Sequence, residues 1–365
     1  MRIIILCLSP SRGGLELYAL EEIRKLQNKG HQCMAVVSEN SYLAEALSKE
    51  NIPVALVRVW FTNLPLIAAI RLAKHIEEFN ADIVHIHWGQ DLYLAGLAKA
   101  KSRIKVSLVY TRHMNYTREK KDIYHRWFYE RVDLLLVGTH LLQQLAIQYL
   151  PVKPDNIKLL YIGVDKPLNK QLDCHAFYND QFIKRKLNIA VFGRVEHGKG
   201  QHVMVRSIKE LVAEDYDISL VLVGHTMDQK YQQELESLIS NNKLNDRIQF
   251  KGFVDNVADS MKCFDVIALT TLCETFGLVL VEAMRAGVAV VGTNAGGVPE
   301  IIEDAQSGLL IEPDDIQSTK QALIRLYNNP ALLTELAEKG RQRADNLFDS
   351  SKHFDQLEQI LQDGT

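Results

Sequence analysis

Residues 3–8 form a short, uninterrupted apolar run rich in isoleucine, and a polar loop carrying Gly13 and Gly14 follows it. A run of that length without alternation suits a strand buried on both faces of a parallel sheet. Arg2 ahead of apolar residues is also how a signal peptide begins, but this run is too short for one and leads straight into the glycines, so a first strand is the better reading. From residue 15 to about 28 the apolar positions fall at helical spacing, and Gly30 ends the pattern. Further strand-like runs lie at 33–38, 53–59, 82–87, 105–111 and 133–138, separated by helical stretches near 64–79, 91–100, 122–131 and 139–149. Strands alternating with helices predict βαβ units and a parallel, doubly wound sheet.

The periodicity fails around 151–186, where Pro151, Pro154, Pro167 and a polar run suggest a hinge. It then restarts, with strand-like runs at 187–193, 218–224, 247–252, 265–270, 288–293 and 307–312. The pattern predicts an α/β chain of two Rossmann-like, doubly wound domains facing a central cleft. Residues 1–165 form the first, 166–186 a linker and 187–345 the second, with a closing amphipathic helix over 346–365. Ligands of such sheets bind beyond the carboxyl ends of the strands. In the stretch 64–79, Leu66, Ile67, Ile70, Leu72 and Ile76 read as a buried helical stripe. The alternative is an acceptor-facing or membrane-touching surface that begins at Trp60 and Phe61.

A length of 365 residues with 47% hydrophobic and 24% charged residues fits a globular protein of two domains. No apolar run approaches the ~20 residues that span a bilayer. Five cysteines, scattered and never spaced C-x-x-C, argue against a disulfide framework or structural zinc and fit a reducing, cytoplasmic setting. The net charge of −3 conceals an asymmetry: residues 1–165 hold 21 Lys and Arg against 16 Asp and Glu, and the remainder 21 against 29. Ten basic residues fall within 99–131 against three acidic ones. That segment is either a solvated basic face or a patch for an anionic membrane or acceptor.

Three loops carry candidate chemistry. In the segment from Thr271 to Gly287 a strand ends, a polar loop follows, and a helix starts near Gly277. Glu274 precedes that helix and Glu282 lies within it, so two carboxylates could accept from two sets of paired hydroxyls. Helix-start amides at Phe276, Gly277, Leu278 and Val279, beside Thr275, suit sugar hydroxyls or phosphate oxygens. After the strand at 187–193, Gly193, Arg194 and Lys199 place two cations at a strand end beside a helix start, as a diphosphate requires. The loop after the first strand, with Gly13 and Gly14, allows a tight turn and close phosphate approach, yet matches neither the dinucleotide fingerprint nor the P-loop.

These loops, in this order, resemble the large family of retaining glycosyltransferases with the GT-B fold, called family 4 or glycosyltransferase group 1. The most specific element is E-x7-E, here Glu274 and Glu282, followed by Gly-Gly-Val-Pro-Glu-Ile-Ile at 296–302. The resemblance implies that Glu274 contacts the donor sugar and Glu282 the nucleotide ribose. Arg194 and Lys199 would neutralise the leaving diphosphate. Gly14 and the backbone of 276–278 would hold phosphate and sugar, Val254 would touch the base, and His113 of Thr111-Arg112-His113 would lie over the sugar. It further implies a UDP-, GDP- or ADP-linked donor and a glycan or glycolipid acceptor, and the basic segment 99–131 tilts the expectation toward cell-envelope polysaccharide, lipopolysaccharide or glycolipid synthesis. No cofactor is expected and no metal, since two cations can do that work and no D-x-D motif occupies the donor loops. No nucleic-acid partner is expected. The chain is expected in the cytoplasm, with peripheral contact to the inner face of an anionic membrane. The sequence Ile-Gly-Val-Asp at 162–165 and His225-Thr226-Met227 after the strand at 218–224 depart from the family pattern.

The remaining histidines draw weaker readings. His85 and His87 alternate on one strand and could form a metal pair, but no carboxylate partner is evident, so packing or an acceptor-cleft role is the better expectation. His197 and His202 flank Lys199 as supporting groups, His125, His175 and His353 have no motif context, and Asp82 reads as a cap on its strand. Two other functions fit the same scaffold: a nucleotide-sugar epimerase, which needs no acceptor, and a non-catalytic nucleotide-sugar-binding protein.

Overall fold

The strand-like runs form two separate, wholly parallel sheets in the computed structural model, which describes all residues except 51, 60–63, 117, 169–173, 175–184, 255 and 365. The linker expected at 166–186 therefore lies largely outside the described residues, as do Trp60, Phe61 and His175.

The first unit comprises Met1–Tyr161 together with Lys352–Thr365. Its strands are β1 (Arg2–Cys7), β2 (Gln32–Val37), β3 (Val54–Leu56), β4 (Ile83–Ile86), β5 (Ser107–Arg112), β6 (Leu134–Val137) and β7 (Ile157–Leu159), in the order β3-β2-β1-β4-β5-β6-β7. The winding reverses between β1 and β4, paired from Ile3–Ile83 to Leu6–Ile86. Ile3, Ile4, Ile5 and Leu6 are buried because helices cover both faces of β1, each such side chain contributing about 1.5–3 kcal/mol. Asp82 accepts a hydrogen bond from Arg2 N at 2.7 Å and so caps the neighbouring strand's entry.

Helix Leu66–Phe79 corrects one expectation. Its buried stripe is Ala68, Ala69, Leu72, Ala73 and Ile76, whereas Leu66, Ile67 and Ile70 are exposed, Ile67 to 72%. The small residues let this helix pack closely on helix Asp91–Lys101, in which Ala95 and Ala98 are also buried. Leu72 and Ile76 of the expected stripe are buried, but a stripe counted on bulk alone passes over the alanines and adds three exposed residues.

The second unit, Ile162–Ser351, holds β8 (Leu187–Phe192), β9 (Ile218–Val223), β10 (Ile248–Lys251), β11 (Val266–Leu269), β12 (Ala289–Thr293) and β13 (Leu309–Ile311) in the order β10-β9-β8-β11-β12-β13. Here the reversal falls between β8 and β11. Cys174 and Cys263, 89 positions apart, are joined by a disulfide, with Cα atoms 5.5 Å apart. The expectation of no disulfide is thus overturned, because linear spacing carries no information on which distant cysteines the fold brings together. Cys7 and Cys33 are buried and Cys273 is exposed. Among the described residues no helix is long and apolar enough to cross a membrane.

Candidate active site

In the second unit, β8 and β11 lie side by side at the reversal, and the loops leaving them are laced together. Gly193 (φ +153°) and Gly224 (φ +147°) end β8 and β9 so closely that a Cβ on Gly224 would lie 2.0 Å from Gly193 O. Arg194 follows with its side chain 59% exposed and paired to Glu196 at 2.9 Å. A short 3-10 turn, His197–Lys199, comes next. Gly200 (φ +66°) then opens helix Gln201–Ala213, at a point where a Cβ would sit 1.9 Å from Thr270 O. No other residue fits there. Thr271 Oγ1 and Leu272 N both donate to Gly198 O, at 3.0 and 3.1 Å. This lacing carries Lys199 to the β11 loop, where its Nζ donates to Glu274 Oε2 at 2.7 Å.

Glu274 is fixed from behind. Its carbonyl accepts from Gly297 N at 2.9 Å, and Gly296 (φ +61°) lies so close that a Cβ would meet Glu274 O at 1.9 Å. Thr275 N donates to the carboxylate's other oxygen at 3.2 Å. Gly277 (φ +105°) heads helix Leu278–Arg285, and Phe276 packs edge-on against Phe348. Glu282 lies on the second turn of that helix, half-buried. Burial pushes its carboxyl up to about 7, and among the described residues no cation pairs with it. Val254 follows Phe253, and Phe253 stacks on His225 with ring centroids 4.8 Å apart and planes 11° from parallel. In the sequence His225 shows only as a departure from the family pattern; the aromatic platform appears because Phe253, beyond the end of the neighbouring strand β10, stacks on it. His197 and His202 stack on each other, and His202 bonds Tyr231 OH at 2.9 Å and Asp314 at 3.1 Å, which braces the flank of the Lys199 turn.

In the first unit, the glycine loop differs from expectation. Gly13 is extended (φ −150°) and its amide donates to Glu16 Oε2 at 2.8 Å, while Ser9 Oγ donates to the other oxygen. This capping box occupies the Gly13 amide, so it is not open to a phosphate. Gly14 begins the helix that runs to Asn28. Beyond the ends of β1 and β4 lies a mostly apolar cavity of about 190 Å³, lined by Leu8, Pro10, Ser38, Val57, Trp88 and Asp91 among others. Asp91 accepts from Leu8 N at 3.0 Å, and burial holds its carboxyl well above the usual range.

His85 and His87 do have a carboxylate partner, contrary to expectation. Glu22, from the helix that starts at Gly14, sends Oε1 to His85 Nδ1 at 2.6 Å and faces His87 Nε2 with Oε2 at 3.2 Å. All three side chains are fully buried. Burial alone would raise the Glu22 carboxyl, but the charges and hydrogen bonds of His85 and His87 hold it well below the usual range. His85 Nε2 meets Thr111 Oγ1 at 2.7 Å, and His87 Nδ1 meets His113 Nε2 at 3.2 Å. Burial, then the neighbouring histidines, keep His113 well below its ordinary pKa. His353 joins the same cluster, bonding Tyr18 OH at 2.8 Å and the carbonyl of Tyr161 at 2.7 Å.

The basic segment 99–131 divides. Lys99 pairs with Asp133, Arg112 bonds Tyr110 OH and the carbonyls of Met114 and Asn115, and Lys120 turns toward Tyr129. Arg118, Lys121 and Arg126 remain exposed beside Ile123 (89% exposed), Tyr124 and Trp127.

The family model "Glycosyl transferases group 1" matches residues 175–343, and "Glycosyltransferase Family 4" matches 12–166. The chain is 26% identical over 370 residues to the N-acetyl-alpha-D-glucosaminyl L-malate synthase of Bacillus anthracis, covering 97% of this chain and 95% of that protein. It is 25% identical over 301 residues to the N-acetylgalactosamine-N,N'-diacetylbacillosaminyl-diphospho-undecaprenol 4-alpha-N-acetylgalactosaminyltransferase of Campylobacter jejuni, covering 80% of this chain and 79% of that protein. Anabaena HepE, solved in complex with UDP, superposes with a TM-score of 0.86 at 22% identity, with full coverage of both chains.

Proposed function

This chain belongs to the group 1, family 4 glycosyltransferases of GT-B fold, and from that premise we propose how it moves a sugar from a nucleoside diphosphate donor to an acceptor hydroxyl. The reaction proceeds with retention at the anomeric carbon. The acceptor oxygen bonds to C1 on the face that the diphosphate leaves, the C1–O bond to the β-phosphate breaks, and the acceptor's proton passes to the departing phosphate oxygen. Lys199 and Arg194 stabilise the charge that develops on the diphosphate, in the way preorganised cations lower such barriers. Glu274 orients the sugar through its hydroxyls, and Glu282 accepts from the ribose. The amides of 276–279 serve phosphate and sugar, with Gly14 at the first unit's loop. The donor base stacks at Phe253 and His225 beside Val254, and His113 lies over the sugar.

The observation that carries this reading is the Lys199–Glu274 pair at 2.7 Å, held at the strand-order reversal of the second sheet with Gly296–Gly297 packed behind it. The solved neighbour with UDP and the relative that acts on a diphospho-undecaprenol substrate support a uridine donor and a lipid-linked envelope acceptor. Exposed Ile123, Tyr124 and Trp127 among Arg118, Lys121 and Arg126 support peripheral contact with an anionic bilayer. A screen of UDP-, GDP- and ADP-sugars for thermal stabilisation, followed by transfer assays with lipid-linked acceptors, tests the reading. No stabilisation by any nucleotide sugar would overturn it, and sugar release or isomerisation without an acceptor would favour an epimerase.

A further inference from the structure

We propose that Glu22 is a positioning residue for sugar transfer, acting through His87 to fix which ring nitrogen of His113 carries the proton. The role rests on the reaction proposed above, with His113 beside the donor sugar.

Glu22 is fully buried and ionised, so both its oxygens accept only. At 3.2 Å, Oε2 faces His87 Nε2 inside the protein, and two bare acceptors there would repel without solvent to screen them. The proton of His87 therefore sits on Nε2, although that contact lacks the alignment of a strong hydrogen bond. Burial, outweighing Glu22, lowers the His87 pKa, and a neutral His87 ring leaves Nδ1 as an acceptor while His85 supplies the larger charge that holds Glu22 down. His113 Nε2, 3.2 Å away, must then donate to it. A neutral His113 so arranged keeps Nδ1 as its lone-pair nitrogen. Tyr18, edge-on to the His113 ring with centroids 4.9 Å apart, limits its rotation. The second Glu22 oxygen is held by His85, itself tied to Thr111, two residues before His113. One carboxylate thus sets the tautomer from one side and steadies the strand end from the other. Glu22 belongs to the helix that starts at Gly14, so the same residue links the glycine loop to the His113 turn.

Selectively ¹⁵N-labelled histidine in the full chain reads the tautomer directly, with the His113 signal identified by its loss in His113→Gln. The expected wild-type result at neutral pH is the Nε2–H form. Glu22→Gln should convert it to a mixture and lower kcat about 10–100-fold, the range for removing a group that orients a site residue, with donor KM changed little. An Nδ1–H or imidazolium His113 in the wild type would overturn the proposal, as would a folded Glu22→Gln protein with an unchanged tautomer and normal kcat. Stoichiometric zinc or iron in the purified protein would also overturn it, because a metal would take His87 Nε2 and Glu22 for itself. The wild-type spectrum decides the matter if Glu22→Gln fails to fold. It needs no turnover, so a chain without transferase activity would remove the proposed reaction while leaving the tautomer result readable.

Discussion

Lys199 Nζ and Glu274 Oε2 are paired at 2.7 Å, which couples the cation proposed for the diphosphate to the carboxylate proposed for the sugar. Without donor, each neutralises the other. Both side chains are about one-fifth exposed, so the pair adds little to stability, within ~1 kcal/mol for contacts of this type. Binding a donor must share or break it. Glu274→Ala should reduce kcat/KM by about 10³-fold or more, and Lys199→Ala by about 10²–10³-fold. The double variant should lose far less than the product, because residues that act as a unit are not additive. Steady-state kinetics on the four proteins checks this, and near-normal turnover in Glu274→Ala would remove its assigned role. Melting temperatures should stay close to the wild type.

Gly296 stands behind Glu274 in a left-handed conformation that only glycine adopts without strain. A Cβ there would also strike the Glu274 backbone, at 1.9 Å from O and 3.0 Å from N. Backbone cannot yield as a flexible side chain can. Gly296→Ala should destabilise the chain by at least about 2 kcal/mol, and what folds should lose kcat through a displaced Glu274. Denaturant midpoints with parallel assays test it. An unchanged midpoint with full activity would mean that the loop is not held as described.

The strands and the donor loops were legible because each writes a local signal. Continuous apolar runs mark buried parallel strands, and the glycines at 193, 200, 277 and 296 sit where positive φ or close approach requires them. β7 was not legible, since three residues with Lys158 in the middle make no pattern. Helix Leu66–Phe79 was legible only in part, at Leu72 and Ile76, because the rest of its buried face is alanine, which contributes little to a stripe counted on bulk. The Glu22 cluster was invisible for another reason: its carboxylate lies 63 residues before His85, and only the packing of a helix on β4 joins them. The Cys174–Cys263 bond escaped in the same way.

The basic segment yields a prediction that the structure sharpens. Lys120 is half-buried against Tyr129, so reversing it would test the fold more than a surface. Arg118, Lys121 and Arg126 are the exposed cations beside Ile123 and Trp127. Basic residues near an anionic bilayer contribute about 1 kcal/mol each, so reversing all three should weaken vesicle binding by more than about 100-fold at low salt. Ile123→Ser with Trp127→Ser should weaken it at all salt concentrations. Cosedimentation with anionic and neutral vesicles across ionic strength checks both. Binding that ignores charge reversal and salt would refute this face as the membrane contact.

Glu282 offers a test through pH. Its folded-state pKa of about 7 stands above the ordinary 4.5 of an exposed glutamate, for no reason but burial. Between those values the folded chain holds a proton that the unfolded chain releases. Raising the pH from 4.5 to 7 therefore lowers stability, and above 7 the loss is complete. The upper bound is about 3 kcal/mol, reduced by whatever solvent reaches a half-buried carboxylate. Glu282→Gln, which cannot ionise, should match the wild type below pH 4.5 and exceed it in stability at pH 8. Binding should move in the opposite direction. An ionised carboxylate accepts from two ribose hydroxyls better than a neutral one, so wild-type donor affinity should rise from pH 6 to pH 8. In Glu282→Gln it should be weaker at pH 8 and nearly flat. Urea midpoints and donor titrations at the two pH values measure both trends. A Glu282→Gln protein that gains stability at pH 8 yet binds donor as tightly as the wild type would keep the buried carboxylate and remove its role at the ribose.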